Sequence, residues 1–175
     1  MQVRNAEESE ISQLAQIWYD GWQDAHAEIL PEELKRARTL ASFTERLAAG
    51  LASVRVVGPA GAPLGFSWVK GDELYQLYVS AEARGKGAAA LLIADAEALM
   101  ADAGVRAAWL ACAIGNERAA RFYEKCGWSA NALESTNRPH SRSGRARVFD
   151  SVLDTPDGPF HLDVWRYEKA LGRAG

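Results

Sequence analysis

The chain predicts a mixed α/β fold: a central, mostly antiparallel sheet of six or seven strands with helices on both faces. Three observations carry this. Short apolar runs over 53–57, 64–70 and 73–79 follow one another across tight turns, the pattern of an antiparallel meander. An alanine- and leucine-rich helix then leads to a further apolar run, as a crossover to a parallel strand would. Helical stripes precede the meander and an apolar run closes the chain, so one parallel pair stands amid antiparallel strands.

In chain order, Gln2-Val3-Arg4 reads as a short first strand. Ser9 precedes Ile11, Leu14, Ile17 and Trp18, a helical stripe that Trp22 extends, so Ser9 is the expected cap. Pro31 suits the first turn of a second helix through Leu34, and another helical piece carries Phe43 and Leu47. Ser53 to Val57 is a strand. The turn Gly58-Pro59-Ala60-Gly61-Ala62-Pro63 returns the chain through Leu64 to Lys70, and Gly71-Asp72 turns it into Glu73–Val79. The helix after Gly85 carries Leu92, Ala96, Leu99 and Ala103 on one face, and Gly104 stops it. Val105 to Cys112 should pair in parallel with Glu73–Val79. Asn116 to Cys126 is a helix ended by Gly127, with Ala119, Phe122 and Cys126 as its apolar face. His161 to Leu171 reads as the last strand, after the turn signal Thr155-Pro156-Asp157-Gly158-Pro159. Residues 131–147, rich in Ser, Asn and Arg, read as a polar loop bearing Arg138, Arg142, Arg145 and Arg147.

Composition narrows the function classes. A length of 175 residues suits a single domain, 1–175, with a sizeable core. Net charge is −3, which gives no global signal for nucleic acid or a membrane surface. Met1 to Glu10 has no signal-peptide core, and no apolar run approaches the roughly 20 residues that span a bilayer, so a cytoplasmic protein is expected. Cys112 and Cys126 read as reduced, packed thiols. Three scattered histidines without a Cys-x-x-Cys argue against a metal site.

Two stretches carry chemistry. Arg84-Gly85-Lys86-Gly87-Ala88-Ala89 lies between an apolar strand and a long helix. Small residues there let backbone N–H groups approach an anion, and the helix dipole favours negative charge. A dinucleotide fingerprint would need a third glycine at Ala90, and no Walker loop is present. The second stretch, Asn116-Glu117-Arg118-Ala119-Ala120-Arg121-Phe122-Tyr123, starts another helix, with its polar cap and its tyrosine two turns apart on one face. A pyrophosphate cradle followed by an Asn/Tyr pair suits a coenzyme A thioester.

With these residues in place, the chain resembles the GNAT N-acetyltransferase superfamily. The loop fits the family's Arg/Gln-x-x-Gly-x-Gly/Ala. Asn116, Ala119, Phe122, Tyr123, Gly127 and Trp128 fit its Asn-x-x-Ala-x-x-Phe-Tyr-x-x-x-Gly-Phe/Trp. The resemblance runs from about Leu64 to Trp128 and fades toward both ends.

The resemblance implies a GNAT-like fold and acetyl transfer from acetyl-CoA, as co-substrate and without a metal, to a small-molecule or peptide amine. No nucleic-acid or membrane partner is implied, and a homodimer is left open. Arg84, Gly85, Lys86, Gly87, Ala88 and Ala89 would hold the pyrophosphate. The backbones of Leu77, Tyr78 and Val79 would pair with pantetheine at a bulged, splayed strand, and one amide near Tyr78–Val79 would polarise the thioester carbonyl. Asn116 would bond the pantetheine amides or serve only as a helix cap. Tyr123 would protonate the departing thiolate or pack beside Phe122. Glu73 is the candidate base, against a plain turn acid, with Tyr75, His26 and His161 as alternatives. Trp18, Trp22 and His26 are either core or a wall of the acceptor site. The arginine cluster is either solvated or in contact with an acidic acceptor or the coenzyme phosphates. No residue stands out as an acyl-carrying nucleophile, so direct attack within a ternary complex is the economical route. A non-catalytic acyl-CoA sensor, and an enzyme for a longer acyl group, are the alternative readings.

Overall fold

The computed structural model describes residues 1–129 and 147–172, with the backbone alone at 147–149. Among the described residues seven strands form one sheet in the order β1-β2-β3-β4-β5-β7-β6. They are β1 (Val3–Asn5), β2 (Val54–Val57), β3 (Gly65–Lys70), β4 (Glu73–Val79), β5 (Ala107–Ala113), β6 (Arg147–Thr155) and β7 (Gly158–Ala170). The helices are α1 (Ile11–His26), α2 (Glu32–Ala37), α3 (Leu40–Gly50), α4 (Ala88–Asp102) and α5 (Glu117–Lys125). All strand pairings are antiparallel except β4 with β5.

The sheet separates two cores. On one face α1 and α3 lay Leu14, Trp18, Trp22, Phe43 and Leu47 against Val54, Val56, Phe66 and Trp68. On the other, Ile93, Ala96 and Met100 of α4 and Ala120 of α5 cover Leu74, Leu110 and Tyr167.

Several local expectations are corrected. Ser9 does not cap α1. It lies in a 3₁₀ turn, Glu8–Glu10, whose Glu10 carboxylate accepts from the Glu7 N–H at 3.0 Å. Glu10 is fully buried and can be so because Arg4 donates to both its oxygens, at 2.6 and 2.9 Å, and the Gly61 N–H donates at 3.0 Å. Pro31 precedes α2 in extended geometry rather than entering its first turn. The buried stripe of α4 runs through Leu92, Ile93, Ala96 and Met100, while Leu99 is exposed. The buried face turns instead toward Ile93 and Met100, the side that meets the sheet, and Leu99 lies at its solvent edge.

The largest correction is at the C-terminal end. Arg147–Thr155 is a strand, β6, hairpin-paired along its length with β7, which begins at Gly158 rather than His161. Its sequence alternates polar and apolar residues too weakly to announce a strand. Residues 131–146 of the expected arginine-rich loop lie outside the described residues.

Candidate active site

The parallel pair at the centre of the sheet is almost open. Among the described residues β4 and β5 share one paired register, Glu73 with Trp109, reinforced by the Trp109 N–H donating to the Asp72 carbonyl at 3.0 Å. The register between β3 and β4 slips at Trp68/Val69: Trp68 faces Gln76 and Val69 faces Leu74, so Tyr75 is an extra residue in β4. This is the bulge that sequence could not locate. It bends the strand and reverses its side-chain parity. Tyr75 and Tyr78 thus both pack on the α1/α3 face, while Leu74 and Leu77 pack toward α4 and α5. Beyond the bulge, the Ser80 N–H bonds the Leu64 carbonyl at 2.8 Å. By antiparallel alternation the backbone of Tyr78 serves β3, and the backbones of Leu77 and Val79 turn away from β3 toward the gap.

The loop heads α4. Gly85 and Gly87 have φ of 73° and 85°, with nothing within 4 Å of where a Cβ would stand. That left-handed geometry is strained for any side-chain-bearing residue, so the glycines are what lets the chain turn here. Gly87 precedes the helix without a side-chain cap, so the first-turn amides of Ala88 and Ala89 have no intrahelical acceptor. The Lys86 N–H is already bonded to the Ala83 carbonyl at 3.3 Å, and residues 84–87 are exposed. The Arg84 guanidinium pairs with Asp24 of α1 at 2.8 Å. Asp24 also accepts from Arg118 of α5 at 3.0 Å, so one carboxylate ties three elements together. These two arginines, Arg118 first, hold the Asp24 carboxyl below its ordinary range.

Asn116 is the cap of α5: its Oδ1 accepts from the Ala119 N–H at 3.3 Å, which leaves its NH₂ free among the described residues. Tyr123 lies two turns on. Its ring packs against Phe122 and Tyr167, with centroids 5.5 and 6.2 Å away. Burial pushes its phenol well above the ordinary range, and the groups that reinforce the shift are Cys112 of β5, Tyr78 of β4 and Cys126. Tyr123 therefore packs against the core to which Leu74 of β4 and Cys112 of β5 contribute, and its phenol keeps its proton at neutral pH.

On the α1/α3 face a cavity of about 430 Å³ lies over β4, β5, β7 and β6, in the size range of small-molecule sites. Trp18, Trp22, His26, Phe43, Tyr75, Tyr78 and Trp109 give it aromatic walls, and Arg38, Arg46, Glu73 and Gln76 polar ones. Trp18, Trp22 and His26 are thus both buried and cavity-lining, so the two readings of that stripe coexist. Glu73 and Tyr75 share the cavity. Burial raises the Glu73 carboxyl above its usual range, and no described residue hydrogen-bonds or ion-pairs with it. His26 is held neutral, with a pKa lowered to about 4 by burial; its Nδ1 lies 3.0 Å from the Trp22 carbonyl. His161 is exposed and pairs with Asp150 at 3.0 Å. Cys112 and Cys126 are free thiols. Burial pushes Cys112 up to about 12, and the charged groups acting on it are Glu117 and Glu124 rather than a histidine, so it has no means of becoming a thiolate.

Sequence reasoning missed Arg38, Arg46, Gln76 and Trp109. Arg46 had a faint signal, one position before Leu47 on the stripe that Phe43 begins. Arg38, between two helices, had none.

The Acetyltransferase (GNAT) family matches residues 8–128, and the chain belongs to that family. A GCN5-related N-acetyltransferase of Rhodopseudomonas palustris is similar in structure over 97% of this chain and 94% of its own, at 21% identity and a TM-score of 0.69. The PaiA N-acetyltransferase of Thermoplasma acidophilum, solved with coenzyme A, covers 97% and 98% at 17% identity and 0.63. A ribosomal-protein-alanine N-acetyltransferase of Brucella melitensis covers 98% and 100% at 18% identity and 0.62. At these identities the three establish the shared fold. No curated protein matches the chain significantly. Family membership supports acetyl transfer as the general chemistry. Among the described residues no cluster of three or more His, Cys, Asp or Glu is placed to hold a metal, and no helix is long and apolar enough to cross a membrane.

Proposed function

We propose that residues 1–175 act as one domain that moves an acetyl group from acetyl-CoA to a primary amine by direct attack in a ternary complex. The observation that carries this is the parting of β4 from β5 beyond the Glu73–Trp109 pair. The α4 N-terminus stands on one flank of the gap, and Tyr123 is near groups of both strands. The fit to the coenzyme rests on chemistry already described. The left-handed glycines leave room for a phosphate, the helix N-terminus favours its charge, and the gap-facing backbones of Leu77 and Val79 offer strand-like pairing to an extended pantetheine.

Acetyl-CoA supplies an activated acyl carbon. The amine nitrogen attacks that carbon while a backbone N–H near Val79 stabilises the oxygen as it becomes negative. The nitrogen sheds a proton to Glu73 through water. At a strand rise of about 3.3 Å per residue, Glu73 is about 13 Å along β4 from Leu77 and about 20 Å from Val79, too far for direct transfer. The C–S bond breaks, and the Tyr123 phenol donates to the departing sulfur. The buried Cys112, flanked by carboxylates, does not compete as an acyl carrier.

The test is release of free thiol from acetyl-CoA over a panel of primary amines, with acetyl-CoA affinity measured separately by calorimetry. Binding together with amine-dependent thiol release supports the reading. Binding without thiol release from any amine would make the domain an acyl-CoA sensor.

A further inference from the structure

Two guanidinium groups in the cavity have no ion-pair partner among the described residues. Arg38, between α2 and α3, is 9% exposed. Among the described residues its side chain donates to a neutral acceptor, the Asp154 carbonyl at 3.2 Å. The charge that acts on it most strongly is that of Arg46, which is repulsive; the Asp154 carboxylate attracts it more weakly and makes no ion pair with it among the described residues. Burial and this repulsion press it below the ordinary guanidinium range, although it stays charged. Arg46 is stacked among rings, its guanidinium carbon 4.6 Å from the Trp18 ring centre and 5.7 Å from that of Tyr75, and it donates to the Tyr75 hydroxyl. Among the described residues neither arginine has a carboxylate partner. The cavity's acids are elsewhere: Asp150 is engaged with His161, and the cations acting on Glu73 are Lys70 and Arg166.

A buried, unpaired charge is costly, and like charges held together cost more. Arg38 is buried and Arg46 partly buried against rings, so an anion arriving at this cavity wall relieves the repulsion between them and the desolvation of Arg38. Guanidinium groups match a carboxylate with parallel hydrogen bonds, and the ring-stacked Arg46 is already oriented for this. Arg46 reaches the hydroxyl of Tyr75, an extra residue of the strand that faces the gap, so an anion there lies next to the reacting strand. The aromatic walls take an apolar body, and Glu73 gives the cavity its separate negative pole.

Building on the proposed amine acetylation, we propose that Arg38 and Arg46 form a carboxylate-binding subsite, and that the acceptor is a small primary amine bearing a carboxylate and an apolar or aromatic body, of the amino-acid class. A peptide N-terminus without a nearby carboxylate, and a polyamine, do not match this cavity.

The experiment compares acceptors that differ in the carboxylate alone: 4-(aminomethyl)benzoate with benzylamine, and phenylalanine with phenylalaninamide. Each is assayed by thiol release over a pH range that covers both amines. The carboxylated member should have the lower KM and at least a tenfold higher kcat/KM, and Arg38→Met with Arg46→Met should erase that preference. Binding of N-acetylphenylalanine against N-acetylphenylalaninamide, by calorimetry on the coenzyme-A-bound protein, reads the same subsite without turnover. Preferential binding of the carboxylated ligand with no acetylation of any amine would keep the subsite and sink the transfer reaction. Acetylation with equal use of both members of each pair, and equal binding of the two acetylated ligands, would sink the subsite and leave the reaction. A structural role for Arg38 alone predicts a lower melting temperature and an undiminished preference in the folded Arg38→Met variant. The proposal predicts a melting temperature at or above the parent's, with the preference reduced. If the double variant does not fold, the paired ligands on the parent protein still decide.

Discussion

On the loop side of the β4–β5 gap, the groups proposed to meet the coenzyme are backbone amides and a helix end between Gly85 and Ala89, with Tyr123 on α5, after α4 and β5. On the cavity side, the groups are side chains: Trp18 from α1, Arg38 from the α2–α3 junction, Arg46 from α3, Glu73 and Tyr75 from β4, Trp109 from β5. The first kind of recognition needs small residues, positive φ and an uncapped helix start, all of which are local properties of consecutive residues. The second kind needs particular side chains to converge from distant parts of the chain, and that depends on the completed sheet and its bulge. The loop side is therefore fixed by a few consecutive residues, and the cavity side by the completed fold.

The largest expected effect tests whether chemistry belongs to the motif side. Tyr123→Phe keeps the ring that packs on Phe122 and Tyr167 and removes the proton. Turnover should fall by about 10²–10⁴-fold, the usual range for an acid–base group, with acetyl-CoA affinity nearly unchanged. Parent-like turnover at every pH, under conditions where chemistry limits the rate, would move sulfur protonation to water and leave Tyr123 a packing residue.

A somewhat smaller effect tests the loop. Gly87→Glu places a side chain and a negative charge at φ +85°, just ahead of the α4 amides. Losing two charge-assisted hydrogen bonds costs about 3 kcal/mol, or roughly a hundredfold in acetyl-CoA affinity. Space around the Cβ is open, and the left-handed strain costs about 1–3 kcal/mol, so the variant should fold with a lower melting temperature. Calorimetry that finds parent affinity in the folded variant would separate this loop from the coenzyme.

The same contrast explains what could be read from the chain. The meander, the βαβ crossover and α5 were legible because period-2 and period-3.6 patterns are bounded by Gly58, Gly71, Gly85, Gly104 and Gly127. The strand β6 was not, since Arg147–Thr155 pairs with β7 mainly through backbone and leaves Val152 exposed. The α4 stripe was misjudged by one position because alanines and leucines surround that helix and blur its buried seam. The bulge at Tyr75 was unreadable in principle: it is a mismatch in register between two strands, and neither strand alone carries it. Arg38 was unreadable for a similar reason, since nothing beside it in sequence says that β6 will close over it.

The smallest expected effect joins the two sides, because Glu73 stands where the gap closes and also lines the cavity. An amine near the ordinary lysine value is mostly protonated at pH 7 and must lose a proton before or during attack. Glu73 is half-buried and unpaired among the described residues, and burial raises its pKa. It is therefore a stronger base than a surface carboxylate. Because the proton must cross water to reach it, Glu73→Gln should cost about 10²-fold or less in kcat/KM, at the foot of the acid–base range. The loss should be greatest at the lower end of the working pH range, where neutral amine is scarce, and should shrink as pH nears the amine's own pKa. Stability supplies an independent reading. A carboxyl whose folded pKa is raised contributes stability that is complete below its unfolded pKa and is lost as pH rises through its folded pKa. Above its folded pKa the ionised Glu73 thus weighs against the fold, so Glu73→Gln should melt no lower than the parent on the alkaline side of that titration. A variant that melts higher yet loses activity at low pH fits a base kept at a cost to stability. A variant with the parent's pH–rate profile would make Glu73 a turn acid and turn attention to Tyr75, its neighbour on the same cavity wall.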